Sequence, residues 1–177
     1  NGRAIAIGDR WSYLKGLNSD GEGGAIVAYL NVLPGYSYGN LHARRVGSGG
    51  SLVWDIRAGE EMNETIYFKQ PRLIPDGAAG AIVMWHRYYS GEAMWQWVDA
   101  AGALHWGDIG KAVLTGVSGF QTASDERGGA IVAWSIYAQR INREGSEAWA
   151  PGGVNVGVGG SVISDGAGGA IIGESSV

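Results

Sequence analysis

One short segment occurs four times along the chain, and this repetition limits the available folds more than any other feature of the sequence. The copies are SDGEGGAIVAY at 19–29, PDGAAGAIVMW at 75–85, SDERGGAIVAW at 124–134 and SDGAGGAII at 164–172. A phosphate-binding loop of similar composition is followed by a helix and usually contains a lysine, and no copy has either feature. Because a ligand site is rarely built four times in one chain, the segment is predicted to be architectural.

A second block follows each of the first three copies with constant internal spacing. The blocks are LHARRVGSGGSLVW at 41–54, AMWQWVDAAGALHW at 93–106 and IYAQRINREGSEAW at 136–149. Each block has an apolar residue four positions before a glycine and a tryptophan four positions after it, as in Val46, Gly50 and Trp54. This shared spacing indicates internal duplication.

Each repeat unit is predicted to contain four short antiparallel strands. The Ala-Ile-Val-Ala run is β-branched, flanked by glycine and too short for a helix, which favours a buried inner strand. One strand precedes the aspartate, and the second block supplies a third strand, a glycine turn and a fourth strand that begins at the tryptophan. Four such strands in ~40 to 50 residues match a β-propeller blade. The predicted fold class is therefore all-β: a β-propeller-like array in a single domain, residues 1–177, with units at approximately 12–63, 64–113, 114–156, and 157–177 together with 1–11.

The Asp-Gly pairs are predicted to form tight turns, since these residues supply positive φ angles and side-chain bonds to the backbone. Calcium binding is the alternative interpretation, but a calcium loop has alternating Asp and Asn oxygens. Asp20 and Asp125 have only Glu22 and Glu126 nearby. The structural turn is therefore the preferred prediction.

The repeat resembles one found in large exported bacterial proteins that form β-propeller-like arrays. The residues that carry the resemblance are SDERGGAIVAW, IYAQRINREGSEAW and the following GGVNV, and it covers most of the chain from residue 12 onward. It implies an extracellular or cell-surface bacterial protein and carries over no catalytic residue. The chain departs from the family pattern after Trp134, where an acidic and arginine-containing segment is missing and only Ser135 precedes Ile136.

Composition excludes several classes of function. A net charge of −4 without a block of Lys or Arg argues against a nucleic-acid partner. No apolar run approaches the ~18 residues of a membrane span. The chain has no cysteine, and its three histidines, His42, His86 and His105, lack metal-ligand spacing, so neither a metal site nor a cofactor is predicted.

No catalytic residue is predicted either. There is no Gly-x-Ser-x-Gly elbow and no cysteine nucleophile. Asp55, Glu60, Glu61 and Glu64 could include the carboxylate pair of a glycosidase, but the other repeats offer no equivalent carboxylates. A solvated strand edge is the preferred interpretation of this acidic run.

The aromatic residues divide into repeated and non-repeated ones. The repeated tryptophans, which are expected to pack between blades, are Trp54, Trp85, Trp106, Trp134 and Trp149. The non-repeated aromatics and two polar neighbours fall at the variable loop between the second and third strands, and these loops gather on one face of a propeller. They are predicted to form a platform for a sugar or for apolar residues of a partner, with simple packing left open as the alternative: Tyr36, Tyr38, His86, Arg87, Tyr88, Tyr89, Trp95 and Trp97.

The function that these patterns favour is a non-enzymatic secreted or cell-surface binding or scaffolding module. A carbohydrate-binding lectin is the alternative, and a propeller-type glycoside hydrolase is the second alternative. The expected partner is a protein or a glycan, and self-association through open blade edges is also expected.

Two junctions have structural consequences. Residues 3–8 have strand character and are predicted to pair with the last unit and help to close a ring. The interval between the second and third strands is 12 residues from Tyr29 to Leu41, 8 from Trp85 to Ala93, but 2 from Trp134 to Ile136. This last interval favours a chain from which a loop is missing, and the alternative is that the second strand runs on into the third without turning.

Overall fold

The computed structural model describes residues 11–32, 38–63, 71–87, 90–157 and 159–174, and these residues form strands and turns without any helix. None of them therefore forms a helix of the length and hydrophobicity needed to cross a membrane. The strands are β1 Trp11–Ser19, β2 Ala25–Val32, β3 Tyr38–Val46, β4 Leu52–Asn63, β5 Arg72–Pro75, β6 Ala81–Arg87, β7 Glu92–Val98, β8 Lys111–Leu114, β9 Gln121–Ser124, β10 Ala130–Trp134, β11 Tyr137–Ile141, β12 Val154–Asn155, β13 Gly160–Ser164 and β14 Ala170–Glu174.

The strands form four antiparallel sheets, and each sheet is made from consecutive strands. The first sheet has the order β1-β2-β3-β4, the second β5-β6-β7-β8, and the third β12-β11-β10-β9, while the fourth contains β13 and β14. The all-β, four-strand reading of the first three repeats is therefore confirmed. The first sheet runs from Trp11 to Asn63, the second from Arg72 to Leu114 and the third from Gln121 to Asn155.

The Ala-Ile-Val runs lie in the inner strands β2, β6, β10 and β14, as predicted. In the first three sheets the run is buried because the strand has neighbours on both edges and sheets or side chains over both faces. In the fourth sheet, Ala170 and Ile172 are partly exposed and Ile171 is exposed. The prediction of low exposure is therefore wrong for this last copy, since no described sheet covers its outer face.

Successive sheets pack face to face. We call the face of a sheet that packs on the next sheet its forward face, and the opposite one its rear face. The forward faces carry the second residue of each inner strand: Ile26, Ile82, Ile131 and Ile171. The rear faces carry the third residue: Val27, Val83, Val132 and Ile172. Three core clusters join Ile26 to Val83, Ile82 to Val132, and Ile131 to Ile172.

Tryptophans of the second block pack between neighbouring sheets, as predicted. A Cβ atom added to Gly102 of the second sheet would lie 2.9 Å from Cγ of Trp54 in the first sheet. One added to Gly145 of the third sheet would lie 3.4 Å from Cζ2 of Trp106 in the second. Each ring therefore lies against the glycine turn of the following unit, and at Gly102 a side chain would clash with the ring.

The predicted position of the fourth strand requires a correction. Trp54 lies within β4, but Trp106 and Trp149 precede β8 and β12 in turn-like segments. In these two units the backbone after the tryptophan makes further turns before it pairs again, with Gly107, Gly110, Gly152 and Gly153 at positive φ. Gly107 and Gly110 precede β8, and the other two precede β12.

The short interval after Trp134 forms a hairpin. Trp134 pairs with Tyr137, and Ser135 and Ile136 form a two-residue turn in which Ser135 has a φ of 49°. The expectation that the second strand runs on into the third is wrong, because the chain reverses at Ser135 and Ile136 and the third strand begins at Tyr137. The expectation of a missing loop stays a prediction. The predicted pairing of residues 3–8 lies outside the described residues.

Candidate functional site

The repeated aspartates cap the turns that lead into the inner strands. Oδ1 of Asp20 accepts hydrogen bonds from the backbone N–H groups of Glu22 and Gly24 at 2.9 and 2.7 Å. The equivalent oxygens of the other three aspartates accept from the residues two and four positions later in the same way: Asp76, Asp125 and Asp165. The glycine-rich segment is therefore a capped turn, as the sequence predicted.

The second carboxylate oxygen of three of these aspartates binds the third strand of the same sheet. Oδ2 of Asp20 accepts from Nε of Arg45 at 2.9 Å, and Oδ2 of Asp125 accepts from Nε of Arg140 at 2.9 Å. In the second sheet, Nε1 of Trp97 donates to Oδ2 of Asp76 at 3.0 Å. One carboxylate therefore holds both a turn and the neighbouring strand.

Sequence reasoning missed these donors because their distance from the aspartate varies. The signal that identifies them is their position relative to the second block: Arg45, Trp97 and Arg140 each lie five residues before the block glycine. Each also pairs across the sheet with the second residue of the inner strand. Counting from the glycine would have aligned them.

Two buried glutamines hold the segment that follows the third strand. Gln139 is fully buried, donates Nε2–H to the carbonyl of Ala150 at 2.9 Å, and accepts from the N–H of Trp149 at 3.0 Å. Gln96 makes the equivalent bonds in the second sheet, to the carbonyl of Gly107 and from the N–H of Trp106. These repeated, buried polar side chains thus bind backbone groups of the segment that follows the third strand.

The first sheet departs from this pattern and carries a group of polar side chains on its rear face. Arg44 stands where the other sheets have the glutamine, and Asp55 follows Trp54 where they have Gly107 and Ala150. We call the group of Tyr29, His42, Arg44 and Asp55 the first-sheet cluster.

The carboxylate of Asp55 is the centre of this cluster. Tyr29 donates its hydroxyl to both oxygens, at 2.8 and 2.9 Å, and Arg44 donates Nε–H at 3.1 Å and a second, shorter bond from Nη2. Nδ1 of His42 lies 3.4 Å from Oδ1. About a quarter of the Asp55 side chain remains exposed, while Tyr29 is buried. The cluster is therefore a mostly self-satisfied polar surface rather than a set of free groups.

These contacts fix the charge states of the cluster. Burial alone would raise the pKa of Asp55, but the hydrogen bonds from Arg44 and Tyr29 outweigh it and hold the pKa below its usual range. Burial and the neighbouring carboxylate raise the pKa of Tyr29. At neutral pH the pair is therefore an ionised carboxylate and a neutral phenol, whereas a general acid needs a raised carboxyl pKa.

Two of the predicted platform residues are buried within strands of the second sheet. Trp95 lies on β7 and is fully buried against the third sheet, where its ring centroid is 5.8 Å from that of Trp106. His86 lies on β6, is buried, and its Nε2 is 2.6 Å from the carbonyl oxygen of Val117. Placing these two residues in an exposed loop was wrong, because the strands extend to Arg87 and start again at Glu92.

Arg87 and Trp97 are already engaged by neighbouring side chains. Arg87 pairs with Glu92 across the hairpin, at 3.0 Å. The Trp97 ring stacks on His105 with a centroid separation of 3.7 Å, and the Arg143 guanidinium lies 4.9 Å from its centroid. The remaining predicted platform residues lie outside the residues whose side chains the structure describes, and their role stays a prediction: Tyr36, Tyr38, Tyr88 and Tyr89.

Metal binding and glycosidase chemistry are the other candidate functions of the polar side chains. No group of three His, Asp or Glu side chains there converges to hold a metal ion. The side chains of Glu60 and Glu61, and all of Glu64, lie outside the described part, so the carboxylate pair proposed around Asp55 is not tested.

Comparisons with known proteins give no functional assignment. No family model matches the sequence, and no curated protein matches it. Among solved structures, the chain is similar to a protein of unknown function from Bacteroides caccae, with 14% identity and a TM-score of 0.43. The alignment covers 86% of this chain and 48% of that protein, so the chain spans about half the length of the protein it matches.

Proposed function

We propose that this chain is a non-enzymatic binding and scaffolding module, exported by a bacterium and built as a propeller-like array of sheets. The observation that carries the proposal is the repeated use of polar and aromatic residues for construction. The turn aspartates, the buried glutamines and the wedging tryptophans each make the same type of contact in successive units. The repeated polar and aromatic side chains are thus engaged in contacts with the backbone, with the neighbouring strand or with the next sheet.

The packing of forward faces on rear faces supports the propeller-like arrangement. The same interface occurs three times in order along the chain, and each one involves the inner strands of two sheets. A regular array of this kind presents loops at the ends of its sheets on a rigid frame, which suits partner binding. Export and bacterial origin rest on the resemblance of the repeat.

The two alternatives receive less support. A lectin would use one pocket repeated in several units, yet the positions equivalent to Trp97 are Arg45 and Arg140, and the Trp97 ring is covered by side chains of this chain. A glycosidase would use Asp55 beside a second carboxylate. The ionised, arginine-bound state of Asp55 does not suit the acid role.

A direct experiment separates the three functions. The full chain is incubated with a panel of 4-nitrophenyl glycosides and, separately, is applied with a fluorescent label to a glycan array. We expect neither hydrolysis nor glycan-dependent binding. Hydrolysis that is abolished by Asp55→Asn would overturn the proposal in favour of a glycosidase, and saturable binding to one glycan class would overturn it in favour of a lectin.

A further inference from the structure

The third sheet carries a row of three side chains across three neighbouring strands. Trp134 of β10 pairs with Tyr137 of β11, and Tyr137 pairs with Asn155 of β12. Residues directly opposite each other in antiparallel strands have their side chains on the same face of the sheet. The three side chains therefore lie side by side, at the end of the sheet where the β10–β11 hairpin turns. We call them the third-sheet row.

The row exposes aromatic and apolar surface at a turn. Tyr137 is 38% exposed, and its ring centroid lies 6.1 Å from that of Trp134 at an interplanar angle of 29°. Ile136, in the turn beside the two rings, is 40% exposed. Exposed turns usually carry Gly, Asn, Asp or Ser. An isoleucine next to a tyrosine therefore exposes more apolar surface here than the turn itself requires.

Neighbouring segments hold the row in place. The N–H of Val156 donates to the carbonyl of Ile136 at 2.8 Å, which fixes the turn to the segment after β12. A Cβ atom added to Gly153 would lie 2.8 Å from Cη2 of Trp134, so the indole ring lies against the backbone at this glycine. A ligand would thus meet groups that are already ordered, which reduces the entropy cost of binding.

The polar groups of the row are hydrogen-bond donors without charge. Oδ1 of Asn155 accepts from the N–H of Gly157 at 2.8 Å, but no described residue accepts from its Nδ2, from the Tyr137 hydroxyl or from the Trp134 indole. Residues 134–139 and 150–164 include no charged side chain. The row therefore suits an uncharged, apolar ligand that carries free hydrogen-bond acceptors.

We propose that the third-sheet row binds a proline-rich segment of another polypeptide in the polyproline II conformation. Such a segment is apolar, and its carbonyl groups are free to accept because this helix has no internal hydrogen bonds. Its prolines pack on the rings of Trp134 and Tyr137, as in other aromatic-lined sites for this conformation. Its carbonyls accept from the Tyr137 hydroxyl and from Nδ2 of Asn155. This inference rests on the proposed binding role and names the partner.

The length of the row matches the repeat of this ligand. A polyproline II helix has three residues per turn and a rise of ~3.1 Å per residue, so equivalent groups recur every ~9.3 Å. Neighbouring strands are ~4.8 Å apart, so Trp134 on β10 and Asn155 on β12 are separated by ~9.6 Å across β11. A ligand that lies across the strands can therefore place a proline on the rings and a carbonyl, one turn further on, at the Asn155 amide.

The test uses decaproline labelled with fluorescein, and a Gly-Ser peptide of equal length as the matched control. Binding to the full chain is followed by fluorescence polarisation, and hydrogen exchange locates the contact. We expect saturable binding of decaproline and none of the Gly-Ser peptide, because a flexible chain lacks both the proline rings and the preformed helix. Exchange should become slower in residues 134–137 and 153–157.

Variants of the chain assign the contact to the row. Tyr137→Ala should weaken decaproline binding at least about tenfold, as for a central aromatic anchor. Tyr137→Phe keeps the ring and should weaken it about fivefold, through loss of one hydrogen bond. Asn155→Asp keeps the oxygen that accepts from Gly157 but removes the amide donor, with a similar expected loss. Ile109→Ala is the control, since Ile109 is an exposed apolar residue of the second sheet, and affinity should not change.

Four results would overturn this inference: no saturable binding of decaproline, equal binding of the Gly-Ser peptide, full affinity in both Tyr137 variants, or glycan binding that Tyr137→Ala abolishes. The last result would assign the row to a sugar and would also reject the proposed function. Urea unfolding of each variant shows whether it is folded, and Tyr137→Phe decides the matter if Tyr137→Ala is not. Failure of decaproline without glycan binding or hydrolysis rejects the site alone, while the binding and scaffolding role stands.

Discussion

Asparagine substitution of the turn aspartates separates the two tasks of each carboxylate. Asparagine keeps one oxygen for the backbone N–H groups of the turn but replaces the other with an NH₂ donor. In Asp125→Asn this NH₂ group faces the Arg140 guanidinium. Nε and Nη2 of Arg140, each 2.9 Å from Oδ2 in the native chain, then lose their acceptor. In Asp165→Asn the turn bonds are the same, and no described side chain is affected.

The expected cost of Asp125→Asn follows from burial. Asp125 is 1% exposed, and removing one partner of a buried ion pair costs ~3 to 5 kcal/mol. The Arg140 side chain keeps 20% exposure, so water compensates part of the loss and places the cost near ~3 kcal/mol. Asp76→Asn removes a bond from the neutral Trp97 indole and should cost ~1 to 2 kcal/mol. Asp165→Asn should leave stability unchanged within error.

The assay is urea unfolding of the full chain, followed by tryptophan fluorescence. With a slope of ~2 kcal/mol per molar urea, Asp125→Asn should lower the midpoint by ~1.5 M, and Asp76→Asn by ~0.5 to 1 M. The slope should not change. If Asp165→Asn lowers the midpoint as far as Asp125→Asn, the cost lies in the turn bonds that all four aspartates share, and the proposed role of the third-strand donor is refuted.

Three further predictions test other contacts. Gly102→Ala should destabilise the chain by at least ~1 kcal/mol more than Gly77→Ala, because both glycines have positive φ but only Gly102 lies against Trp54. Equal urea midpoints of the two variants would contradict the packing of Trp54 on Gly102. Gln139→Leu should cost ~1 to 3 kcal/mol, since the backbone groups of Trp149 and Ala150 lose a partly buried partner. A stability equal to wild type in the same assay would refute this. The hydrogen bonds to Asp20 outweigh its burial and lower its pKa, so its contribution to stability is present above the unfolded-state pKa of ~3.9 and is lost as the pH falls further. Between pH 5 and 3, the urea midpoint of Asp20→Asn should therefore fall less than that of wild type. Parallel falls of the two midpoints would contradict this.

The repeat made the strands and turns predictable because their determinants are local. Each Asp-Gly turn is closed by bonds within five residues, so a short segment is sufficient to specify it. The inner strands were equally accessible, since an apolar β-branched run between glycines has few alternatives. The hairpin at Ser135 was missed because it depends on the pairing of Tyr137 with Trp134. The number of residues between two predicted strands does not determine which residues pair.

The candidate site was harder to predict because it depends on which face of a strand is covered. Trp95 and Trp97 are two residues apart and point to the same face of β7, but Trp95 is fully buried whereas Trp97 lies near the turn and is only partly covered. The first-sheet cluster can be recognised only from the alignment of the sheets. In that alignment Arg44 occupies the position of the buried glutamines, and Asp55 is the residue that follows the block tryptophan. Register, rather than composition, therefore decides which polar residues are structural.

The contacts that the repeat specifies are concentrated at one end of the sheets. The strands alternate in direction, so the aspartate turns and the turns between third and fourth strands lie at the same end. Contacts between sheets occur there too: Arg45 donates to the carbonyl of Ala100, and Arg143 to that of Asp76. The connections between second and third strands lie at the opposite end and differ in length: β2 ends at Val32 and β3 begins at Tyr38, whereas β10 ends at Trp134 and β11 begins at Tyr137. The unit length can therefore change from one repeat to the next without disturbing the packed end, and the opposite end is free to differ in each unit, as a surface that selects a partner requires.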